Sequence, residues 1–330
     1  MHKVIALWAA RNREYYRDKA SLFWSFVFTP LLVVILALSF SGENTEVFAV
    51  GVLDDSISHP GAERGYITAI SYSDRERAFK QVEYQQIAML FDPTTRTYWI
   101  NSRSSKSQLL EELLTDELAG WNKQVTSGRQ VRYIDWVLPG MLAMNIMFSG
   151  LFGVGYVIVR YRKNGVLKRL QAAPIKAWQF LLAQGMSRLS IMLVVTTILF
   201  VACWWLVDLV VVGNPWLLLL VAFLGNLSII SLALLFASRS ASEEFTNGLL
   251  NAISFPMLLL SEVWFSLDRA PQWLQWIAEI SPLTHMVRAA RTVMLEGGDF
   301  ASILPSVLVL SVMSAVFLVA AGWLFRWHQE

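Results

Sequence analysis

Charge is scarce in this sequence of 330 residues: Asp, Glu, Lys and Arg make up 16% of it, against about a quarter in a soluble globular chain. What charge there is nearly cancels, at +2 near neutral pH, so no basic excess marks nucleic acid as a partner. Cysteine occurs once, at Cys203 inside an apolar run. An intrachain disulfide is therefore excluded, and the thiol reads as a small buried hydrophobe. The pattern Gly-x-x-x-x-Gly-Lys-Ser/Thr, whose amides and lysine cradle nucleotide phosphates, is missing. The chain cannot hold ATP in that manner. In the long polar stretch at 42–135 no group of His, Cys and carboxylates has metal-ligand spacing, and His59 stands there as a surface histidine.

Long apolar blocks fill the space that charge leaves. Hydrophobic residues reach 55% and the mean hydropathy is +0.47. About 20 apolar residues cross a hydrocarbon core roughly 30 Å thick. Lipid offers no hydrogen-bond partners, so such runs are helices. Six qualify: Leu22–Phe40, Trp136–Val159, Leu189–Val207, Trp216–Ala237, Asn247–Phe265 and Ile303–Phe325. Trp24, Trp136, Trp204, Trp216, Trp264 and Trp323 fall near their ends, where an aromatic belt belongs. Ala37 and Ser39 have the small-x-small spacing of a signal-peptide site, but the run before them is long for that role and starts late.

Basic residues set the direction. The loop Arg160–Ala177 carries Arg160, Arg162, Lys163, Lys168, Arg169 and Lys176 with no acid, which marks the cytoplasm. Lys3, Arg11, Arg13, Arg17 and Lys19 precede the first run. Both facts agree when the N-terminus is inside and six spans follow; Arg326 then places the C-terminus inside too. The expected fold is an all-α polytopic membrane protein of a bacterial cytoplasmic (inner) membrane, with six transmembrane helices. A small α/β extracytoplasmic domain at 42–135 separates the first span (22–41) from the region 136–330, which holds the other five.

Within that domain, Val47–Leu53 and Gln86–Phe91 read as strands. Asp74–Val82 and Ser105–Gln124 read as helices, the latter with Leu109, Leu110, Leu113, Leu114 and Leu118 at helical spacing. Asp92-Pro93 marks a turn. Acidic residues outnumber basic ones here, which disfavours docking on anionic lipid. In 1–21, Val4, Ile5, Trp8, Tyr15 and Tyr16 share a helical face opposite Lys3, Arg13, Glu14 and Arg17, as in a helix lying in the membrane interface.

The stretch 267–301 is too apolar for a free loop and too polar for a span. Two short helices broken at Pro282 fit it, as an outer re-entrant hairpin, since irregular backbone at membrane depth must be packed in protein. Arg188 and Asp208 bracket the third span and are expected to reach the two interfaces. A proton relay needs ionisable groups at mid-membrane, and none is evident. Glu262, near the outer end of the fifth span, reads first as an interfacial carboxylate and second as part of a path. With Pro256, Pro282 and His285 it makes a candidate outer gate.

Three stretches carry a family likeness: Tyr133-Ile134-Asp135-Trp136-Val137-Leu138-Pro139-Gly140; Gly165-Val166-Leu167-Lys168-Arg169-Leu170-Gln171-Ala172-Ala173-Pro174; and Pro256 to Ser261 with Phe265-Ser266-Leu267, running on to Trp273-Leu274-Gln275-Trp276 and Ser281-Pro282-Leu283-Thr284. In this order the chain resembles the permease subunit of ATP-binding-cassette transporters of the type-two exporter family. The second stretch looks like that family's G-x-L-x-R-L-x-x-x-P pattern. It departs from the family where Arg160 to Asn164 stand in place of acids before the glycine, and where Glu262 stands in place of glycine.

The resemblance implies a permease of ATP-driven export that is not itself an enzyme and binds no cofactor. ATP and Mg would be held by two copies of a partner ATPase. Gly165, Leu167, Lys168, Arg169, Leu170 and Pro174 would form a rigid, exposed coupling helix near 164–174. A second permease subunit in a homodimer, a periplasmic adaptor and membrane lipid would be the other partners. A membrane-embedded enzyme or sensor would instead need a convergent acid, base or metal constellation, and none is found. An ion-gradient-driven transporter lacks the mid-membrane charges.

Overall fold

The computed structural model describes residues 2–39, 48–53, 59–61, 64–72, 75–128, 131–172, 175–238, 242–267 and 270–325. Two compact units divide the chain: Phe40–Tyr133, and Met1–Ser39 together with Ile134–Glu330. Helices α1 (His2–Arg17), α2 (Lys19–Phe23) and α3 (Thr29–Ser39) open the chain, with a π-helical turn at Trp24–Phe28 joining the last two.

The 40–133 unit is a layered α/β body. In chain order it has β1 (Phe48–Val52), β2 (Ile67–Ser71), α4 (Arg75–Glu83), β3 (Met89–Asp92), β4 (Thr97–Asn101), α5 (Ser105–Leu113) and β5 (Asn122–Thr126). The sheet order is β2-β1-β3-β4-β5; only the β3–β4 pair is antiparallel. Strand side chains alternate between faces. Met89 and Phe91 therefore meet Leu110 and Leu114 on the α5 side, while Leu90 meets Ala78 and Val82 of α4 on the other. The turn after β3 is pinned by Asp92, whose Oδ1 accepts from Thr94 N at 3.1 Å and Thr95 N at 3.3 Å.

The helix expected over Ser105–Gln124 stops at Leu113. Leu114 and Leu118 still reach the core, but the chain unwinds into turns up to Gly120, whose φ of +86° only glycine adopts without strain. Asn122 onward then joins β4 as a parallel strand. Residues 40–47 and 73–74, where the end of the expected first span and the starts of the expected first strand and first helix of the domain fall, lie outside the described residues.

The other unit is a helix bundle. It contains α6 (Tyr133–Gly150), a π-helical segment Leu151–Tyr156, α7 (Val157–Lys163), α8 (Val166–Ala172), α9 (Ala177–Val207) and α10 (Pro215–Ala237), then α11 (Glu243–Leu260), α12 (Gln272–Ala278), α13 (Pro282–Glu296) and α14 (Phe300–Leu324). Helix starts carry ordinary caps: Asn214 accepts from Trp216 N at 3.0 Å ahead of Pro215, and Ser242 accepts from Phe245 N at 3.0 Å. Among the described residues four helices are long and apolar enough to cross a membrane: Tyr133–Lys163, Ala177–Val207, Pro215–Ala237 and Phe300–Leu324. The first and fifth expected spans are not among these four; the chain is helical from Lys19 to Ser39. Phe26–Leu36 is a shorter apolar helix, and α11 begins with Glu243, Glu244, Asn247 and Asn251.

Small residues let these helices approach, as expected where packing rather than hydrophobicity drives association. A Cβ on Gly150 would lie 2.7 Å from Ile229, and one on Gly225 would overlap Met286. Asn145 Nδ2 donates to Thr29 Oγ1 at 2.8 Å, tying α6 to α3.

Helix α1 departs from a purely interfacial role. Val4 and Tyr15 are buried, Trp8 Nε1 donates to Ser190 Oγ of α9 at 3.3 Å, and Ser187 Oγ donates to Asn12 at 2.5 Å. These four positions form one stripe against the bundle, whereas Ile5 and Tyr16, expected on the same face, are exposed.

Candidate functional site

Three places gather the polar groups of the bundle. The first is the junction of α7 and α8. Gly165 sits at φ +68°, with open space where a Cβ would be, so the chain reverses there at no steric cost. Helix α8 follows. Leu167 is fully buried in the bundle core and Leu170 packs against it, while Lys168 and Arg169 are exposed. The apolar pair expected to meet a partner thus anchors the helix inward, and the face left outside is basic. Arg169 Nη2 donates to Asn164 O at 3.3 Å, and Lys163 pairs with Glu243 of α11 at 3.5 Å. Pro174, expected to close this helix, lies outside the described residues.

The second place is the π-helical segment. A π turn leaves backbone carbonyls off the regular ladder, and two arginines take them. Arg188 Nη2 donates to Ser149 O at 2.5 Å, and Arg11 Nη2 donates to Gly153 O at 3.3 Å. Arg188 is buried rather than extended to an interface, and its guanidinium lies over the Tyr15 ring at 5.3 Å. Gly153 makes room for it, since a Cβ there would overlap the guanidinium. Arg11 also pairs with Glu14 at 2.8 Å and donates to Tyr161 Oη at 3.3 Å; Tyr161 in turn donates to Glu14.

The third place is the hairpin α12–α13, broken at Glu279–Ser281 with Pro282 at the first position of α13. Ser261, at the end of α11, hydrogen-bonds Ser281 Oγ at 2.9 Å and accepts from Thr284 Oγ1 at 3.0 Å. Glu262 follows in the left-handed region at φ +57°, a conformation that costs a non-glycine residue of order 1 kcal/mol or more. Its carboxylate faces Arg288 at 3.3 Å and Arg291 at 3.7 Å, and its carbonyl accepts from Arg291 Nη2 at 2.5 Å. Arg291 also donates from Nε to Trp136 O at 3.0 Å and stacks over the Trp136 ring at 3.6 Å. Arg288 pairs with Glu279, and His285 Nε2 lies 2.9 Å from Glu279 O.

The structure therefore brings Glu262, Pro282 and His285 to one corner. It leaves Pro256 in the exposed interior of α11, where a proline removes a ladder hydrogen bond. Sequence reasoning missed Arg288, Arg291 and the Arg11–Arg188 pair. Two arginines three apart in an otherwise apolar helical stretch were the available signal for the first two; nothing local points from Arg291 to Trp136.

The family model described as ABC-2 type transporter matches residues 85–295. "ABC transporter G family member 20" of Dictyostelium discoideum is 28% identical over 198 residues, covering 58% of this chain and 25% of that protein. "Probable multidrug ABC transporter permease YbhR" of Escherichia coli K12 is 22% identical over 191 residues, 58% of this chain and 52% of that protein. "Inner membrane transport permease YhhJ" of the same strain is 24% identical over 190 residues, 57% of this chain and 51% of that protein. The chain thus matches about half, or a quarter, of the length of these relatives.

Proposed function

This chain belongs to the ABC-2 type transporter family, and from that premise we propose that it is the permease subunit through which a separate ATPase drives export of a substrate. Two such chains pair as a homodimer around one path, and two ATPase copies, which hold ATP and Mg, bind on the cytoplasmic side. Helices α3 and α11 complete six spans in a bacterial cytoplasmic membrane, with both termini inside. The 40–133 unit then lies outside, within reach of a periplasmic adaptor.

The observation that carries this reading is the α7–α8 junction. Helix α8 offers the exposed basic pair Lys168 and Arg169, yet Leu167 roots it in the bundle core. A push on the exposed face cannot be absorbed locally, because a close-packed core transmits displacement instead of deforming. It passes to α7, to α11 through Lys163–Glu243, and so to the spans as a rigid-body shift.

Co-expression with an ABC ATPase encoded beside this chain tests the proposal. The intact chain is expected to retain the ATPase through purification and to stimulate its turnover. The double substitution Lys168→Glu/Arg169→Glu, on solvated positions, is expected to abolish both while leaving membrane insertion unchanged. Purified chain that transports in vesicles without nucleotide or ATPase would overturn the reading.

A further inference from the structure

Helices α6, α9, α10 and α13 enclose a cavity of about 310 Å³. Among the described residues no charged side chain lines it; Thr196 and Thr197 are the hydroxyl groups in its wall. Ile146, Met286 and Met294 form its depth and are all at most 2% exposed. Its mouth is formed by Val201 and Trp204 of α9 and by Trp216 and Leu219 of α10, all of them exposed.

An apolar cavity of ~150 Å³ stays dry and accepts benzene, and this one is about twice that size. Water does not settle where few polar partners converge, and an empty void forfeits the dispersion contacts of its lining. Hydrocarbon satisfies it. The source follows from the mouth, which opens on two helices long and apolar enough to cross a membrane. The cavity is thus continuous with the outer surface of these two helices, near the ends where their tryptophans stand. A cargo site would need a few placed polar groups to fix orientation, which this lining does not supply.

We propose that this cavity holds one acyl chain of a membrane phospholipid, entering sideways between the Trp204 end of α9 and the Trp216 end of α10. Met286, Ala290 and Met294 turn one side of α13 to the cavity, while Arg288 and Arg291 on the same helix hold Glu262. The chain therefore wedges the helix that carries the hairpin network. This inference rests on membrane embedding and is independent of the ATPase and of the direction of transport.

The test uses the full chain in vesicles of phosphatidylethanolamine and phosphatidylglycerol. A trace of phosphatidylcholine bearing a diazirine midway along one chain is added, irradiated, and adducts are mapped by peptide mass spectrometry. Adducts are expected on Met286 or Met294, which surrounding lipid cannot touch from outside. Thr197→Phe, at an exposed wall position, should cut them roughly fivefold by filling the space, with labelling of exposed Val312 on α14 unchanged. Ala290→Leu, from the opposite wall, is the second variant should the first fail to insert. Adducts confined to exposed residues, or buried labelling indifferent to both variants, would sink the proposal. So would displacement of the lipid adduct at Met286 by a photoactivatable hydrophobic amine that leaves Val312 labelling intact, because the cavity would then belong to cargo.

Discussion

Arg291 makes contacts that no other side chain could make together. Its planar fork reaches Trp136 O and Glu262 O at once and lies flat on the Trp136 ring, a geometry lysine lacks. Arg288 still faces the Glu262 carboxylate at 3.3 Å when Arg291 is gone, so the loss falls on Trp136 O and Glu262 O, which give up a charged donor. Arg291→Ala is therefore expected to destabilise the bundle by about 1.5–3 kcal/mol, read as a lowered thermal midpoint in detergent. Arg291→Lys should recover less than half of the loss. Equal stability of the lysine variant and the parent would show that charge alone matters there. Little of this was legible beforehand: Glu262 was singled out as a carboxylate near a span end, but its partners lie on other elements.

Glu117 makes the turn at Gly61 in the 40–133 unit sensitive to acid. Gly61 N donates to its Oε2 at 2.5 Å and Arg64 Nε donates to its Oε1 at 2.9 Å. The hydrogen bond from the Gly61 amide, first, holds the carboxyl below its ordinary value against the desolvation that raises it, and Arg64 lowers it further. A depressed folded pKa contributes stability that is complete above the unfolded value and is lost as pH falls through the folded one. Protection of the Gly61 amide from hydrogen exchange, corrected for intrinsic rate, should therefore fall on acidification below about pH 4.5. Glu117→Gln should flatten that dependence. A slope that survives the substitution would assign the acid response to another carboxylate.

At the scale of elements, α8 separates two effects that its sequence pattern merges. Leu167 and Leu170 at helical spacing signalled one apolar face, but spacing cannot say whether a partner or the chain's own core covers it. Here the core does. Leu167→Ala is accordingly expected to cost about 2–5 kcal/mol of bundle stability, as buried leucines do. Gly165→Ala has no clash to pay, because the space around it is open, and should cost only the left-handed backbone strain, about 1 kcal/mol. Thermal unfolding of both variants ranks the two terms, and a larger loss at Gly165 would reverse the argument. Elements with strong periodicity were readable in this way. β2 and β5 were not, because five-residue strands with exposed faces carry too little alternation to stand out from loops; β4 is half-buried or buried throughout, but five residues are too short a run to settle a period. The break after Leu113 was hidden by Leu114 and Leu118, which keep their burial while the helix unwinds.

The whole molecule has a direction that charge bias argues for and that chemistry can test. Cys203 is buried, at 1% exposure, so a Cys203→Ser background removes a thiol that reagents reach poorly in any case. Lys168 on α8 and Asp116 in the 40–133 unit are both exposed, and each can carry a single replacement cysteine. If the basic loop is cytoplasmic and an odd number of spans separates it from the 40–133 unit, the two positions lie on opposite sides. The measurement is labelling of intact cells with a membrane-impermeant maleimide. Asp116→Cys is expected to react at once, and Lys168→Cys only after the membrane is opened. Labelling of both in intact cells, or of neither, would mean that α6 and α7 do not together cross the bilayer as one 31-residue helix. The coupling face of α8 and the hairpin of α12–α13 would then have to be reassigned to sides, since both are placed by that crossing.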